Sequence, residues 1–401
     1  MSATSAPGSF PERVLGEHRA RWLATVDEAY ADMRRIIEGA QFRIRCETYL
    51  MREEGPATWL RAALLAARAR NVEVWLLLDA FGSEQVGDAF LRPLREAGVN
   101  VGIFNPKRLL RLSFRNHRKL LAVDGASAVV GGFNIGPEYA GDGVNRGWCD
   151  AGLRVSGPIV AQLEHSFDEM WHLAPFTPAA IRAWREVAAR ARSLRTDSGA
   201  AGTQQGAVPP VSLLVSGPAP RRNSLRRRLR YDLRRARDVV IASAYFLPSS
   251  RVRLMMYRVV ERGGRVRVLL AGRSDVPLAQ RAAEHLYSRL LRGRVGLFEY
   301  QPQVLHAKLL VMDDTVFVGS CNLDRRSLHI NFELLLRLEW PELAADARQW
   351  CETALSHSKA LQLQEWAAAR TPRRRFWSWI AYLLLSRVDP LIARRRFRAI
   401  S

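Results

Sequence analysis

The sequence is short of the features that mark secreted, membrane-spanning and metal-binding proteins. It has four cysteines in 401 residues, and none stands in a C-x-x-C or other metal-ligand spacing. Because all four lie in apolar segments, we expect Cys46, Cys149, Cys321 and Cys351 to be buried free thiols in a reducing compartment. The N-terminal residues contain no apolar segment typical of a signal peptide. No apolar run approaches the roughly 20 residues that a spanning helix needs.

Acidic residues are too few to balance the basic ones. The chain has 61 lysines and arginines against 39 aspartates and glutamates, a net charge of +22. This excess favours an anionic partner, which could be nucleic acid, an anionic membrane surface or a phosphorylated substrate. Apolar residues make up 48% of the chain. The length and composition therefore allow two domains, or one large pseudo-symmetric domain, with a substantial core.

A motif with the spacing H-x-K-x4-D occurs twice, and each copy is followed by a small residue and an asparagine. The first copy is His117, Lys119, Asp124, Gly132 and Asn134, and the second is His306, Lys308, Asp313, Ser320 and Asn322. One extra residue in the turn of the first copy is the only difference in register. A single histidine is usually a satisfied core or surface residue, but two matching copies favour function. We expect each histidine and its lysine to share one face of a strand.

The order of predicted elements also repeats. In each half a strand, a helix, a strand, a helix and a short strand precede the motif, which predicts an internal duplication. The fold class is therefore α/β, with two pseudo-symmetric lobes that each contain a mixed, mostly parallel sheet flanked by helices. The predicted divisions are an N-terminal tail and helix (1–39, with the helix over 19–38), a first lobe (40–194), a flexible linker (195–210), a second lobe (211–370) and a basic amphipathic segment (371–401).

Two basic segments flank the second lobe. Residues 219–238 predict a helix with a leucine stripe and a dense arginine face, which either is solvated or binds anionic headgroups. Near the C-terminus, an apolar run of ten residues from Phe376 to Leu385 has two tryptophans near its start and stands between arginine clusters. This pattern is typical of a helix lying in the membrane interface. The alternative is a C-terminal helix docked on the core.

The duplicated motif suits phosphoryl chemistry. One imidazole can attack phosphorus, and the other can protonate the leaving alkoxide and then deprotonate the incoming hydroxyl. The two lysines supply positive charge, and Asn134, Asn322 and Ser320 supply hydrogen bonds, so no metal or cofactor is required. Asp150 and Glu333 lie one strand downstream of the histidine in their own half, and we expect each to accept the second ring N–H of that histidine.

The two motif aspartates allow two interpretations. A role in a turn or a salt bridge suits Asp124 and Asp313 at least as well as direct contact with substrate.

These residues resemble the phospholipase D superfamily. The strings ETYL, LLLDAFGS, GGFNIGPEY, WCDAGLRVSGPIV and LHAKLLVMDDTVFVGSCNLDRRSLHINFE resemble bacterial cardiolipin synthases, in the shorter form without N-terminal membrane helices. The resemblance implies two phospholipase D-like lobes that share one active site. It implies a ping-pong transfer of a phosphatidyl group from phosphatidylglycerol to a second phospholipid through a phosphohistidine. It also implies His117 as nucleophile and His306 as acid, although the pseudo-symmetry permits the reverse.

The resemblance further implies where the protein acts and on what. Its partners would be anionic phospholipids (phosphatidylglycerol and cardiolipin) at the surface of the bacterial inner membrane, bound peripherally from the cytoplasmic side, with no nucleic acid. The alternatives are a phosphodiesterase acting on nucleic acid, since nucleases of the superfamily share the histidine pair, and a non-catalytic membrane adaptor. The sequence does not predict an oligomeric state.

The source of positive charge leads to the first testable prediction. Because Lys119 and Lys308 supply the charge that a metal would otherwise supply, excess chelator should leave the rate of phosphoryl transfer unchanged. The measurement is turnover before and after treatment with chelator, followed by dialysis against metal-free buffer. Strong inhibition that added divalent cations reverse would contradict the metal-free mechanism.

Overall fold

The computed structural model describes residues 9–106, 113–184, 186, 209–218 and 224–393. The predicted linker over 195–210 lies outside these residues except for its last two positions. No helix in the described part of the chain is both long and apolar enough to cross a membrane.

The first lobe is built on one eight-stranded sheet. Its strands are β1 (Glu12–Leu15), β2 (His18–Leu23), β3 (Arg43–Thr48), β4 (Glu73–Asp79), β5 (Asn100–Phe104), β6 (Leu120–Val123), β7 (Ser127–Gly131) and β8 (Gly152–Ser156). They are hydrogen-bonded in the order β1-β2-β8-β7-β6-β3-β4-β5. The accompanying helices are α1 (Val26–Glu38), α2 (Pro56–Ala69), α3 (Asp88–Glu96) and α4 (Ile159–Leu173).

The second lobe has a sheet of the same size. Its strands are β9 (Val211–Ser216), β10 (Asp238–Ser243), β11 (Arg265–Ala271), β12 (Gly296–Tyr300), β13 (Lys308–Met312), β14 (Thr315–Gly319), β15 (Glu333–Glu339) and β16 (Ser358–Ala360), in the order β16-β12-β11-β10-β13-β14-β15-β9. Its helices are α5 (Ser224–Arg235), α6 (Ser250–Glu261), α7 (Pro277–Arg292), α8 (Arg325–His329), α9 (Pro341–Ser356), α10 (Leu363–Ala368) and α11 (Pro372–Leu383), and a π-helical turn (Leu384–Val388) follows.

The strand orders confirm the duplication. The series β8-β7-β6-β3-β4-β5 in the first sheet corresponds to β15-β14-β13-β10-β11-β12 in the second. The mixed α/β class is also confirmed, but the expectation of mostly parallel sheets is wrong. In each sheet only two of the seven pairings are parallel. The two parallel pairings in each sheet join strands that a helical crossover connects. The strands of the motif hairpin, and the strands that pair beyond it, are antiparallel.

The N-terminal prediction also needs correction. The helix expected over 19–38 begins only at Val26, because residues 18–23 form β2, which pairs with β8. Trp22 fits a helical spacing with Val26 and Tyr30, but Ala20 and Trp22 also alternate as buried positions of a strand. Since β1 and β2 are part of the first sheet, the predicted boundary at residue 39 does not separate a distinct unit.

A central apolar cluster joins the two lobes. It draws on both sheets and on α4 and α9, and each lobe has a further cluster of its own. Across the interface, the Trp350 indole N–H donates to the Ala24 carbonyl oxygen at 2.9 Å, and Arg13 pairs with Asp346 at 2.7 Å. The four cysteines are buried and free, as predicted. The lobes therefore form one packed body with the motif strands near its middle.

Candidate active site

The motif histidines lie just before their strands rather than on them. The strands β6 and β13 begin at Leu120 and Lys308, so His117 and His306 lie in extended segments that lead into the sheet. The Lys119 Nζ donates to the carbonyl oxygen of His117 at 2.7 Å, and Lys308 makes the same bond to His306. Each lysine therefore fixes the backbone that carries its histidine.

Backbone bridges connect each histidine segment to the other lobe. The His117 N–H donates to the Phe332 carbonyl oxygen at 3.0 Å, next to Glu333. The His306 N–H donates to the Cys149 carbonyl oxygen at 2.7 Å, next to Asp150. In both places the segments form an isolated parallel bridge. The carboxylate beside each bridge thus comes from the opposite half of the chain.

This arrangement crosses the histidine–carboxylate pairs. The His117 Nδ1 lies 3.1 Å from the Glu333 Oε2, and the His306 Nδ1 lies 2.6 Å from the Asp150 Oδ2. The expectation that each histidine is supported by the carboxylate of its own half is therefore wrong. The sequence offers the correct carboxylates, but the bridges between the lobes exchange their partners.

Asp150 is an ionised partner for His306. Burial disfavours its charge, but Lys308, His306 and the hydrogen bond from the Ala151 N–H at 2.8 Å outweigh burial and hold the pKa of the carboxyl below its usual value. Burial, together with Lys308, lowers the pKa of His306 to about 4, although Asp150 acts in the opposite direction. With this lowered pKa, His306 is neutral beside a carboxylate that can stabilise its charged form.

Glu333 is a different kind of partner for His117. Burial raises the pKa of this carboxyl to about 8, despite Lys119 and the hydrogen bond that the Ser320 hydroxyl donates at 2.5 Å. The His117 Nδ1 also lies 3.1 Å from the Ser320 carbonyl oxygen. A carbonyl oxygen can only accept, so Nδ1 carries the proton and Nε2 holds the lone pair. Burial and the nearby Lys119 lower the pKa of His117.

The two lysines lie within the same buried cluster of charges. Burial lowers the pKa of Lys308 to about 8, and burial together with Lys308 lowers that of Lys119. The Lys119 Nζ also lies 5.0 Å from the centre of the Tyr49 ring, within cation–π range. A bound phosphodiester would offset this positive charge and raise all of these lowered pKa values.

The small residues of the motif support the carboxylates rather than facing the cavity. A Cβ on Gly132 would lie 2.3 Å from the Asp150 Oδ1, so glycine makes room for this carboxylate. At the corresponding position, the Ser320 hydroxyl is bonded to Glu333. Nothing in these contacts indicates that Gly132 or the Ser320 hydroxyl binds substrate, so a binding role for these two positions stays a prediction.

The motif asparagines do line the cavity, and they also fix loops. The Asn134 Oδ1 accepts from the Leu50 N–H at 3.2 Å, and the Asn322 Oδ1 accepts from the Tyr245 N–H at 3.3 Å. Their amide groups remain placed to donate, and that of Asn134 donates to the Tyr139 hydroxyl at 2.8 Å. A role in binding substrate stays a prediction for both residues.

The motif aspartates lie at the far ends of the motif strands, away from the histidines. The Asp124 carboxylate accepts backbone N–H groups of residues 41–43 at 2.7 to 2.9 Å. Asp313 accepts those of Arg237 and Asp238 at 2.8 to 3.1 Å. Both have a positive φ, 56° and 48°. They tie the start of the neighbouring strand to the turn, so the hypothesis that they are catalytic is wrong.

Both histidines line one cavity of about 870 Å³ between the lobes. Aromatic rings pack on both histidines. The ring centre of Tyr49 lies 4.8 Å from that of His117, and the ring centres of Tyr139 and Trp148 each lie 5.2 Å from that of His306. The Tyr245 hydroxyl donates to the Asp275 Oδ2 at 2.7 Å in the same cavity. Sequence reasoning missed these residues because they lie outside the duplicated motif, and no spacing connects them to it.

A buried network positions the segment before His117. Asn116 donates from its backbone N–H to the Asp79 Oδ2 at 2.7 Å and from its amide to the Glu47 Oε1 at 2.5 Å. Arg118 pairs with Glu47 at 3.1 Å. Burial raises the pKa of Asp79 to about 6. The sequence signal for this network is a carboxylate within an apolar strand (Glu47) and another at the end of the next strand (Asp79). Across the described residues, no three histidine, cysteine or acidic side chains converge on a metal position.

Comparison with known proteins identifies the family. The profile described as "Cardiolipin synthase, PLD-like domain" matches residues 33–171 and 229–355, which is more than half of the chain. The chain belongs to this cardiolipin synthase family, whose members are phosphatidyltransferases of the phospholipase D superfamily. The match includes both histidines and both crossed carboxylates.

Individual relatives agree with this membership. Cardiolipin synthase B of Salmonella typhi is 34% identical over 78% of this chain and 74% of its own length. Cardiolipin synthase A of Pseudomonas aeruginosa is 33% identical over 80% of this chain and 64% of its own length. Among solved structures, phosphatidylserine synthase of Haemophilus influenzae superposes with a TM-score of 0.69 over 98% of this chain and 97% of its own, at 14% identity. This last likeness concerns the fold alone.

The positions of the motif aspartates give a second prediction. Asp313→Ala should lower the free energy of unfolding by about 1–3 kcal/mol, because it leaves two backbone N–H groups without an acceptor. The folded variant should retain its turnover. Urea denaturation and transfer assays on the same preparation test this. Asp314→Ala, which alters the neighbouring turn carboxylate, is the matched control. An Asp313→Ala protein of normal stability without turnover would restore a direct catalytic role.

Proposed function

We propose that the protein forms cardiolipin by moving a phosphatidyl group to a hydroxyl of phosphatidylglycerol. The donor is either a second phosphatidylglycerol, which releases glycerol, or another phospholipid, which releases its own headgroup alcohol. The observation that carries this proposal is a single cavity lined by two histidines with unlike carboxylate partners. Membership in the cardiolipin synthase family supports the substrate class. The finer assignments below rest on the geometry.

His117 has the features of the nucleophile. The Ser320 carbonyl oxygen fixes the proton on Nδ1 and leaves the lone pair on Nε2. Its partner Glu333 holds a proton below about pH 8, because burial raises the pKa of that carboxyl to about 8. A neutral partner does not favour the charged imidazolium form. His117 is thus kept in the neutral form that attacks phosphorus.

His306 has the features of the acid and base. Its partner Asp150 is ionised, so an imidazolium at His306 gains a buried counter-ion once the substrate phosphate offsets the lysines. As the His117 Nε2 bonds to phosphorus, the bond to the glycerol oxygen breaks and that oxygen takes the proton of His306. Neutral His306 then removes the proton of the acceptor hydroxyl, whose oxygen attacks phosphorus and releases His117.

The cavity also offers groups for the alcohol. Asp275 lines it with its Oδ2 bonded to the Tyr245 hydroxyl, and Asn322 lies beside them. A carboxylate and an amide can hold the hydroxyls of glycerol through hydrogen bonds. We assign this group of residues to the leaving and entering alcohols.

The C-terminal segment supports a membrane surface as the place of action. Leu384, Leu385, Val388 and Ile392 form one wall of the cavity that holds both histidines. The preceding helix α11 packs on α7 and keeps its aromatic side exposed, with Phe376, Trp377 and Trp379 about half exposed. Interfacial helices combine such residues with flanking arginines. An apolar wall suits acyl chains and offers nothing to nucleic acid, which disfavours the nuclease alternative.

We further propose peripheral binding at the bacterial inner membrane, from the cytoplasmic side. The four buried free thiols fit a reducing compartment. The aromatic side of α11 would enter the interface, and the apolar wall would receive lipid from it.

The direct test is incubation of the purified protein with labelled phosphatidylglycerol, alone and with phosphatidylethanolamine, followed by lipid mass spectrometry. Formation of cardiolipin with release of glycerol or ethanolamine is the expected result. Phosphatidic acid as the only product would indicate hydrolysis instead of transfer. Cleavage of an oligonucleotide without any lipid product would favour the nuclease alternative.

The histidine roles give a third prediction. Both His117→Ala and His306→Ala should lose more than about 10³-fold in turnover, because each removes one half of the two-step mechanism. Only His306→Ala should retain a slow transfer of labelled phosphatidyl to the protein, since His117 remains. Covalent label is measured after denaturation at alkaline pH, where phosphohistidine persists. Label on His117→Ala but not on His306→Ala would reverse the assignment.

The exposed aromatic residues give a fourth prediction. Trp377→Ser with Trp379→Ser should weaken binding to phosphatidylglycerol vesicles by about tenfold or more, because burial of each apolar side chain contributes about 1.5–3 kcal/mol. Vesicle sedimentation measures the change. Phe42→Ser with Leu254→Ser removes exposed apolar side chains elsewhere and serves as the control. Equal losses in both double variants would remove the special role of α11.

A further inference from the structure

The arginine face of α5 has no part in the proposed reaction. This helix carries six arginines: Arg226, Arg227, Arg228, Arg230, Arg234 and Arg235. Two of them stack on the Tyr231 ring, and two more are exposed to solvent. The remaining pair, Arg226 and Arg230, lies one helical turn apart and lines a second cavity of about 280 Å³. One face of α5 therefore lines a cavity and is not simply a solvated surface.

This second cavity, the arginine pocket, gathers positive charge from three helices. The cavity is lined by Arg226 and Arg230 of α5, Arg251 of α6 and Arg325 of α8, and the His329 ring lies beside them. None of its eleven lining residues, all in the described part of the chain, is acidic. The guanidinium groups of Arg230 and Arg251 add positive charge to this small concave space, which favours the entry of an anion.

The hydrogen bonds in the arginine pocket leave donors for such an anion. The Arg226 Nη1 lies 2.9 Å from the His329 Nδ1, and because arginine only donates, Nδ1 accepts and Nε2 carries the ring proton. The Arg230 Nε donates to the Arg226 carbonyl oxygen at 3.1 Å. Within the described chain, neither Arg230 nor Arg251 has a carboxylate in ion-pair range. Their terminal nitrogens can thus bind phosphate oxygens in pairs.

The N-terminus of α6 adds to this potential. Its cap, Ser249, and its first residue, Ser250, line the arginine pocket beside Arg251. The Ser249 hydroxyl caps the Val252 N–H at 3.4 Å. The partial positive charge at the start of a twelve-residue helix adds to that of the guanidinium groups.

We propose that the arginine pocket binds the phosphate of an anionic phospholipid that is not the reacting one. Pro390 forms part of its wall, and the next residues, Leu391 and Ile392, are 51% and 45% exposed. The space holds a phosphodiester headgroup but not two acyl chains, which would lie along these exposed side chains. A phospholipid therefore matches both the positive charge of the arginine pocket and the apolar side chains at its edge. Free phosphate matches only the positive charge.

The location connects this accessory lipid to the catalytic cavity. Arg325 lines both cavities, and its Nη1 donates to the Ser386 carbonyl oxygen at 2.7 Å in the π-helical turn. The same turn supplies Leu384, Leu385 and Val388 to the wall of the catalytic cavity. A phosphate held by Arg325 and its neighbours would fix the position of this wall. The inference deepens the proposed function, since it supposes that the protein meets phospholipid.

The test compares two double variants of the full chain that remove equal charge. Arg230→Ala with Arg251→Ala alters the pocket, whereas Arg227→Ala with Arg234→Ala alters exposed arginines of α5. Binding is measured by sedimentation with phosphatidylcholine vesicles that contain graded fractions of phosphatidylglycerol. The pocket variant should bind about tenfold more weakly, and the control variant should change less than about threefold, because paired guanidinium–phosphate bonds exceed diffuse attraction. Equal losses in both would overturn the proposal.

Further measurements show whether the phosphate belongs to a lipid, to a small soluble molecule or to a nucleic acid. Glycerol 3-phosphate and inorganic phosphate are tested by thermal shift on the same variants. Stabilisation of the wild type that the pocket variant loses, together with unchanged vesicle binding, would overturn the lipid assignment in favour of a soluble phosphate. Greater loss of oligonucleotide binding than of vesicle binding would overturn it in favour of nucleic acid. Transfer by the wild type in detergent micelles tests the proposed function separately, because it needs no vesicle surface.

Discussion

Two buried histidine–carboxylate pairs that cross between the lobes are the constraint on which the site depends. Asp150 of the first lobe holds His306 of the second, and Glu333 of the second holds His117 of the first. A buried carboxyl group costs free energy when it lacks its partner, and the cost is largest when the group is ionised, as Asp150 is. Neither lobe can therefore bury its own carboxyl group well in the absence of the other. The parallel bridges at Asn116–Phe332 and Cys149–Leu305 hold the crossing in register. The shared site is therefore a consequence of how the lobes pack.

The duplication produces matching residues, but the environments differ. Glycine beneath Asp150 gives its carboxylate room, whereas the matching Ser320 bonds to Glu333. Asp150 has a pKa held below its usual value, and the pKa of Glu333 is raised to about 8. Two chemically identical imidazoles can thus take unlike roles, one as nucleophile and one as acid. The difference arises from the residues that follow each motif and not from the motif itself.

Much of the fold could be predicted from periodicity and repetition. The strand and helix order of both halves, the motif hairpins and the leucine stripe of α5 (Leu225, Leu229, Leu233) all follow from local spacing. The pattern of residues 18–23 does not distinguish helix from strand, because Trp22 satisfies both a helical and an extended spacing. The excess of antiparallel pairings could not be predicted, because local spacing does not show which distant strands pair with the motif hairpins.

The candidate site could be predicted as a set of residues but not as a set of contacts. The histidines, lysines and carboxylates follow from duplication, yet the exchange of carboxylates depends on backbone contacts between segments that are more than 150 residues apart. Asp124 and Asp313 belong to the motif pattern for a structural reason, since they tie strands to turns. The apolar wall at Leu384 and Val388 reaches the cavity only through tertiary packing.

The crossed pairing can be measured directly by nitrogen-15 NMR of the histidine rings in uniformly histidine-labelled protein. The ring resonances of His117 and His306 are assigned from the two alanine variants. Asp150→Asn should then shift the His306 resonances and leave those of His117 unchanged, and Glu333→Gln should do the reverse. Movement of the His117 resonances in Asp150→Asn, with His306 unaffected, would mean that each lobe supports its own histidine and would contradict the shared, crossed site.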